Sequence, residues 1–371
     1  MADKYLGESI GKLGFGFMRL PRKDGGFDME QIDRMVDCFM DAGFTYFDTA
    51  YVYEGSEEAL RKSLVERYPR ERFQIATKLN LMFAKTAEDL PGFFNTSRER
   101  LGVDYVDFYL LHGLGGPSIE KAEELKAWDY IKTLKEKGEA RHIGLSFHGT
   151  PEELESIFHN HPEVEFVQLQ INYLDWESER VQSRRVYEVA RAHNVPVTIM
   201  EPIKGGLLGG EASAAAKRLR EYDPGASAAS WALRFASQLE GLVTVLSGMS
   251  AYEHVVDNVS TFKNMKPLTA EDRGVIQEAA DILNDIPRVP CTGCNYCAPN
   301  CPQKIAIPMM MNLYSDYLVY QNAAGITHGY GFATRGGGKA SDCIACHVCE
   351  EHCPQHIEIA DTVAKLSALV D

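Results

Sequence analysis

The sequence predicts a parallel (β/α)8 barrel followed by a small cysteine-rich domain, and three observations predict it. Short apolar, β-rich runs alternate with amphipathic helical stretches from residue 13 to about residue 248, the pattern of βα units around a parallel sheet. There are eight such runs, a count that suits a closed barrel better than an open doubly wound sheet. Of nine cysteines, eight fall in two short runs beyond residue 290, just after a proline-marked break, IPRVP, at 286–290. A chain of 371 residues exceeds the usual size of one core. Residues 1–285 are therefore expected to form the barrel with a closing helix, and residues 286–371 a second domain.

The strands are expected at 13–17, 45–48, 73–78, 106–112, 142–146, 166–170, 197–201 and 243–247, with helices such as 29–42, 57–67 and 122–137 between them. Beyond the eighth strand, Thr269 followed by Ala-Glu-Asp reads as the N-cap of a helix running to about residue 285. Between Cys301 and Cys343 lie a Met/Tyr-rich segment, 309–320, and a glycine triplet, 336–338. The triplet reads as a connector, since no helix-opening Lys-Ser/Thr follows it as in a phosphate-binding loop. Cys38, beside Met35 and Phe39, has the spacing of a core-packing residue.

Composition narrows the function classes. With 45% hydrophobic and 25% charged residues the chain can bury a sizeable core. A formal charge of −15, with no local basic stripe, argues against nucleic-acid binding. No run of about 18 apolar residues and no basic-then-apolar leader is evident, so a cytoplasmic protein without a membrane span is expected. Its partners are then small molecules or proteins.

Barrels of this class place their chemistry at the carboxyl ends of the strands. Those ends read Asp48, Lys78, His112, Ser146, Gln168 or Gln170 with Asn172, Glu201 and Ser247-Gly248. Tyr53 follows Asp48 in the loop before a helix. Three successive strands thus offer a carboxylate, an ammonium and an imidazole around a phenol. That set suits proton transfer at the oxygen of a carbonyl or alcohol, with Lys78 expected to pull the Tyr53 pKa below its usual value of about 10 and Asp48 to orient Lys78. Singly, each residue has an ordinary structural explanation; their joint placement is what points to a site.

These stretches resemble the aldo-keto reductase family. Leu13-Gly-Phe-Gly16, Phe47-Asp48-Thr49-Ala50, Tyr53, Ala76-Thr-Lys78 and Leu110-Leu-His112 match its Asp/Tyr/Lys/His tetrad in order and spacing, over roughly residues 5–265. The resemblance implies hydride transfer between a nicotinamide cofactor and a carbonyl carbon, with Tyr53 as proton donor, Lys78 and Asp48 tuning it and His112 positioning the carbonyl. It also implies a nicotinamide site at Ser146 with Gln168 or Gln170, and a pyrophosphate loop after Glu201 that includes Gly205 and Gly206. The nucleotide end falls at Gly248, Ser250, Asp257 and Asn258. Members that select NADPH usually carry a lysine and an arginine where this chain has Gly248 and His254, which leaves NAD and NADP both open.

The cysteine runs are Cys291, Cys294, Cys297 and Cys301-Pro, then Cys343, Cys346, Cys349 and Cys353-Pro. This Cys-x2-Cys-x2-Cys-x3-Cys-Pro spacing is that of bacterial two-cluster ferredoxins, in which the fourth cysteine of each run serves the other 4Fe–4S cluster. One cluster is accordingly assigned to Cys291, Cys294, Cys297 and Cys353, the other to Cys343, Cys346, Cys349 and Cys301. Zinc is the competing explanation, but zinc ribbons use paired thiols and leave the third and fourth positions of each run idle. The segment resembles a ferredoxin-like iron–sulfur module, and its union with the barrel resembles the iron–sulfur subgroup of the aldo-keto reductases.

A nicotinamide passes two electrons as hydride and a cluster passes one, so direct coupling needs a converter such as a flavin, for which the sequence carries no fingerprint. The favoured expectation is a carbonyl–alcohol oxidoreductase using NADP or NAD, with ancillary clusters. The alternatives are a reductase fed single electrons by a ferredoxin or flavodoxin, and a non-catalytic electron-transfer subunit. Substrate choice is expected to rest in the loops 81–90 and 174–184.

Overall fold

The computed structural model describes residues 4–211, 213–320 and 323–370. Eight parallel strands, Leu13–Gly16, Tyr46–Asp48, Gln74–Leu79, Val106–Leu114, Ala140–Phe147, Phe166–Gln170, Val197–Met200 and Leu242–Gly248, form a closed barrel. Each strand pairs with the next, and the eighth closes on the first with Ser247 opposite Phe15. Because successive side chains alternate faces, the strands supply two apolar layers. Tyr46, Ala76, Phe108, Leu110, Phe166 and Val243 fill the interior. Phe15, Phe47, Ile75, Tyr109 and Leu169 face the surrounding helices. Gly144 is required between two neighbours, since a Cβ there would lie 2.3 Å from the Phe166 carbonyl oxygen.

Two helices follow the sequence pattern closely. In Met29–Asp41 the buried residues are Ile32, Met35, Val36, Phe39 and Met40, one face of a helix. Its N-cap, Asp28, accepts a hydrogen bond from the Gln31 amide. Phe39 packs on Phe47 at 5.2 Å between ring centroids, and burying each such side chain stabilises by about 1.5–3 kcal/mol. Thr269 caps Ala270–Asn284 reciprocally, Asp272 N donating to its hydroxyl at 3.0 Å and Thr269 N donating to the Asp272 carboxylate at 2.9 Å.

Two expectations are corrected. The helix expected over 122–137 is two, Pro117–Glu124 and Ala127–Glu136, separated at Lys126, whose φ is +52°. The break turns Trp128 inward, where its ring stacks on His161 at 4.1 Å and its Nε1 donates to Glu123 at 3.0 Å. The helix expected over 57–67 is Ser56–Leu60 running into a π turn, Arg61–Val65. Two hairpins, Lys4–Tyr5 with Glu8–Ser9 and Arg22–Lys23 with Gly26–Phe27, are too short to carry a readable alternation. Leu6 and Ile10 beside the first pack on the interior cluster and close the amino end of the barrel.

Beyond Asn284 the described residues form helices, short 3-10 turns and loops. The Met/Tyr-rich segment is the helix Ile307–Tyr320, followed by Ala323–Ala333 and Ile359–Val370. Met310, Met311, Ile326, Tyr330, Val363 and Leu366 make an apolar core of their own, with Cys297 at its edge. No helix among the described residues is long and apolar enough to cross a membrane.

Candidate active site and cysteine clusters

At the carboxyl end of the barrel, Lys78 donates from Nζ to Asp48 Oδ1 at 2.7 Å and to the Thr49 carbonyl at 2.7 Å. Burial works against both charges, raising the Asp48 pKa and lowering that of Lys78, while their mutual attraction opposes each shift. Gln168 adds a hydrogen bond from Nε2 to Asp48 Oδ2 at 3.3 Å, a further interaction that favours the carboxylate. The Tyr53 ring lies over the ammonium, its centroid 5.2 Å from Lys78 Nζ, and stands edge-on to His112 at 5.9 Å. Asp48, Tyr53, Lys78 and His112 are thus one assembly.

The electrostatics correct one expectation. Burial raises the Tyr53 phenol well above its ordinary value, with Tyr296 and Asp48 adding to the rise, whereas Lys78 was expected to lower it. The ammonium is spent on Asp48 and the Thr49 carbonyl. Burial, then Lys78 and His148, hold His112 well below the usual imidazole value, so the ring is neutral near pH 7.

A cavity of about 260 Å³ runs from Tyr53 and Asp48 past Gln168 and Glu201 to Gly205 and Gly206, and on to Gly248, Ser250, Asp257 and Asn258. The two glutamines, equivalent in the sequence, have different employment. Among the described residues Gln168 Oε1 is buried with no hydrogen-bond partner, a vacancy for a donor. Gln170 is instead paired with Gln355 of the C-terminal part, accepting from its Nε2 at 2.7 Å and donating to its Oε1 at 3.2 Å. Ser146 is not among the cavity residues; its hydroxyl accepts from Gly113 N at 2.7 Å. Asp257 accepts from Ser227 Oγ at 2.6 Å, Asn258 donates to Ser247 Oγ at 2.8 Å, and Ser250 N approaches His254 Nδ1 at 3.3 Å.

Gly205 and Gly206 have φ of +64° and +103°, conformations that favour glycine and turn the chain at the cavity wall. A Cβ on Gly205 would also lie 2.9 Å from the Thr292 carbonyl oxygen. Arg19, which sequence reasoning missed, crosses the same region. Its stem lies over Gly248, and its Nη2 donates to the Thr292 carbonyl at 2.7 Å and sits 3.6 Å from Glu201 Oε1. Its position just past Leu13-Gly-Phe-Gly16, at the carboxyl end of the first strand, was the only available signal.

The C-terminal part covers the barrel mouth through several such contacts. Buried Lys204 donates to Asp175 Oδ1 and Oδ2 at 2.5 and 2.6 Å and reaches Gln355 Oε1 at 3.3 Å. Thr292, Cys294, Tyr296, Pro354 and Gln355 line the same cavity as Tyr53. Tyr296, also missed, places its hydroxyl 3.1 Å from His112 Nε2 and 3.4 Å from Tyr53 Oη.

The thiols form two groups that each mix the runs. Cys353 acts electrostatically on Cys291, Cys294 and Cys297, and burial with these neighbours pushes Cys294 up to about 11. Cys301 lines a small second cavity with Cys343, Cys346 and Cys349, where burial pushes Cys349 up to about 12. Thiols crowded this way exist as thiolates at neutral pH only against positive charge, the chemistry of a metal-ligand set. Among the described residues no three Cys, His, Asp or Glu side chains meet as ligands of one ion would, whereas a cluster of four irons needs its thiols spread around it.

Comparison with known proteins gives two matches along the chain. The aldo/keto reductase family profile matches residues 12–281, and a 4Fe-4S dicluster domain matches residues 290–358. A 9,11-endoperoxide prostaglandin H2 reductase from Trypanosoma cruzi is 29% identical over 204 residues, 53% of this chain and 62% of its own. The probable aldo-keto reductase 1 of Glycine max is 28% identical over 217 residues, 55% of this chain and 59% of its own. The chain thus spans less than two thirds of the length of these relatives. An aldo-keto reductase from Bacillus halodurans, solved in holo form, superposes with a TM-score of 0.61 at 26% identity, covering 74% of this chain and 93% of that one. One from Klebsiella pneumoniae in complex with NADP and acetate gives 0.60 at 20% identity, covering 73% and 91%, a likeness of fold.

Proposed function

Since this chain belongs to the aldo/keto reductase family and carries a 4Fe-4S dicluster domain behind its barrel, we propose that it interconverts a carbonyl and an alcohol with a nicotinamide dinucleotide. The observation that carries this reading is the single assembly of Asp48, Tyr53, Lys78 and His112 at one end of a cavity that continues along Gly205 and Gly206 to Asp257 and Asn258. A bound nicotinamide supplies the hydride. Tyr53, kept protonated by burial, donates its proton to the substrate oxygen, and neutral His112 orients that oxygen by hydrogen bonding. The Lys78–Asp48 pair holds a positive charge beside the phenol ring and steadies it.

The unpartnered Gln168 Oε1 suits the amide of a carboxamide, so Gln168 rather than Gln170 is the nicotinamide residue of this reading. Gly205, Gly206 and Arg19 would take the pyrophosphate, while Gly248, Ser250, Asp257 and Asn258 would meet the adenosine end. The thiol groups would hold two 4Fe–4S clusters, Cys291, Cys294, Cys297 and Cys353 one, Cys343, Cys346, Cys349 and Cys301 the other. A domain boundary at 285/286 is supported by the separate apolar core beyond it.

Purified, iron-loaded protein is expected to oxidise NADPH or NADH in the presence of small aldehydes, with Tyr53→Phe lowering the rate roughly 10²–10⁴-fold, the range for a positioned general acid. Unchanged turnover in Tyr53→Phe would refute the reading. A second reading, in which a ferredoxin or flavodoxin feeds single electrons to the barrel, is favoured by the place of Cys294 in the cavity wall. Anaerobic turnover separates them: substrate reduction with NADPH or NADH alone supports the first reading, and substrate reduction only when a reduced ferredoxin or flavodoxin is supplied supports the second.

A further inference from the structure

The turn that carries the first cysteine run also carries a tyrosine into the heart of the tetrad. Gly293 and Asn295 have φ of +68° and +67°, so the backbone turns sharply on either side of Cys294 and projects Tyr296 toward the barrel. The Tyr296 ring stands edge-on to His112 at 5.6 Å. Its hydroxyl lies 3.1 Å from His112 Nε2 and 3.4 Å from Tyr53 Oη, while its backbone carbonyl accepts from Asn300 Nδ2 at 3.2 Å.

In the reaction proposed above, the substrate oxygen must lie within hydrogen-bond reach of both Tyr53 and His112, one to give it a proton and one to orient it. That place is held by the Tyr296 hydroxyl oxygen, and two oxygens cannot share it. Asp48 is engaged by both Lys78 and Gln168, so the carboxylate and the ammonium are committed to each other rather than to a substrate oxygen.

We infer that Tyr296 is a specificity-determining residue: its phenol occupies the subsite of the reacting oxygen, and a substrate binds productively only by displacing it. The inference rests on the tetrad reading given under the proposed function. Substrate affinity is then set by a competition between the incoming carbonyl and a hydroxyl presented by the cysteine-rich domain. A carbonyl compound with a second oxygen beside the reacting one competes best, because that oxygen gives the displaced Tyr296 hydroxyl a new hydrogen-bond partner.

The test is Tyr296→Phe in the full, iron-loaded chain, assayed with propanal and with 2-hydroxypropanal, together with a calorimetric titration of acetate as a probe of the oxygen subsite. Without the hydroxyl the ring keeps its shape but loses its hold on Tyr53 and His112. KM for propanal is expected to fall roughly tenfold, with the gain in KM rather than in kcat, and acetate to bind tighter by a similar factor. The preference for 2-hydroxypropanal over propanal is expected to shrink. Unchanged or weaker propanal and acetate binding overturns the inference, as does a fall in kcat at constant KM, which would make Tyr296 a proton donor. Tyr296→Leu replaces the variant if its iron content drops. Should no protein turn over with either dinucleotide, the tetrad reading fails, while the acetate titration still reports whether Tyr296 fills the pocket.

Discussion

At the scale of single residues, the placement of charge decides what each tetrad member can do. Asp48 and Lys78 are buried together and bonded at 2.7 Å, so losing one partner leaves the other as an uncompensated buried charge. Tyr53 is raised by burial and His112 lowered by it, and the signs set a pH profile. A phenol with a raised pKa stays protonated further into alkali, and an imidazole with a lowered pKa stays neutral further into acid. Carbonyl reduction is therefore expected to hold its kcat between about pH 6 and pH 9, while alcohol oxidation, which needs the phenolate, is still climbing at about pH 10. A break in the reduction profile near pH 7, measured with saturating dinucleotide, would contradict this. The residues legible from sequence were those whose roles are local: Asp48, Lys78 and His112 each end an apolar run, and their barrel neighbours follow from strand order. Tyr296 and Arg19 carried no such mark, because their partners lie 184 and 273 residues away in sequence.

Among elements, the barrel strands and the capped helices Met29–Asp41 and Ala270–Asn284 formed as read, and the helices expected over 57–67 and 122–137 did not. All eight barrel strands overlap the runs expected for them, because a strand buried on both faces needs a continuous apolar run that few other elements produce. The break at Lys126 was invisible, since a left-handed lysine has no sequence signature and is fixed by the packing of Trp128 on His161. The loop after the seventh strand is the element most exposed to a single change. Gly205→Ala would put a Cβ 2.9 Å from the Thr292 carbonyl at a φ of +64°, strain on the order of 1–3 kcal/mol. The expected outcome is weaker dinucleotide binding and a lower Tm, measured by fluorescence titration and thermal unfolding. Equal affinity and Tm would show that the loop absorbs the change.

For the whole molecule, the cysteine-rich domain is a lid on the barrel as well as a metal carrier. Gln170, Gln355, Lys204 and Asp175 form a buried polar network across the junction, and Arg19 reaches Thr292 from the first strand. Because each thiol group draws on both cysteine runs, loss of one fourth ligand should strike the distant run. Cys353→Ser is expected to remove the cluster shared with Cys291, Cys294 and Cys297 and to lower iron content by roughly half, whereas Cys301→Ser should spare that cluster. Iron analysis with EPR of the two variants checks the assignment, and loss of the same signal from both would contradict it. Cys353→Ser should also loosen Tyr296, since its turn hangs between two thiols of the affected group.

The sequence by itself determined the barrel, the polar residues Asp48, Lys78 and His112 toward the ends of its strands and the iron–sulfur spacing of the thiols, because each is written in a short-range pattern: an apolar period, a strand terminus, a fixed interval between cysteines. Only the tertiary structure separated Gln168 from Gln170 and raised Tyr53 where a neighbouring lysine promised the reverse. It alone brought Arg19 and Tyr296 to the mouth. Those outcomes depend on which surface the second domain covers, and burial and contacts across that junction are properties of the docked whole that no local run of residues encodes.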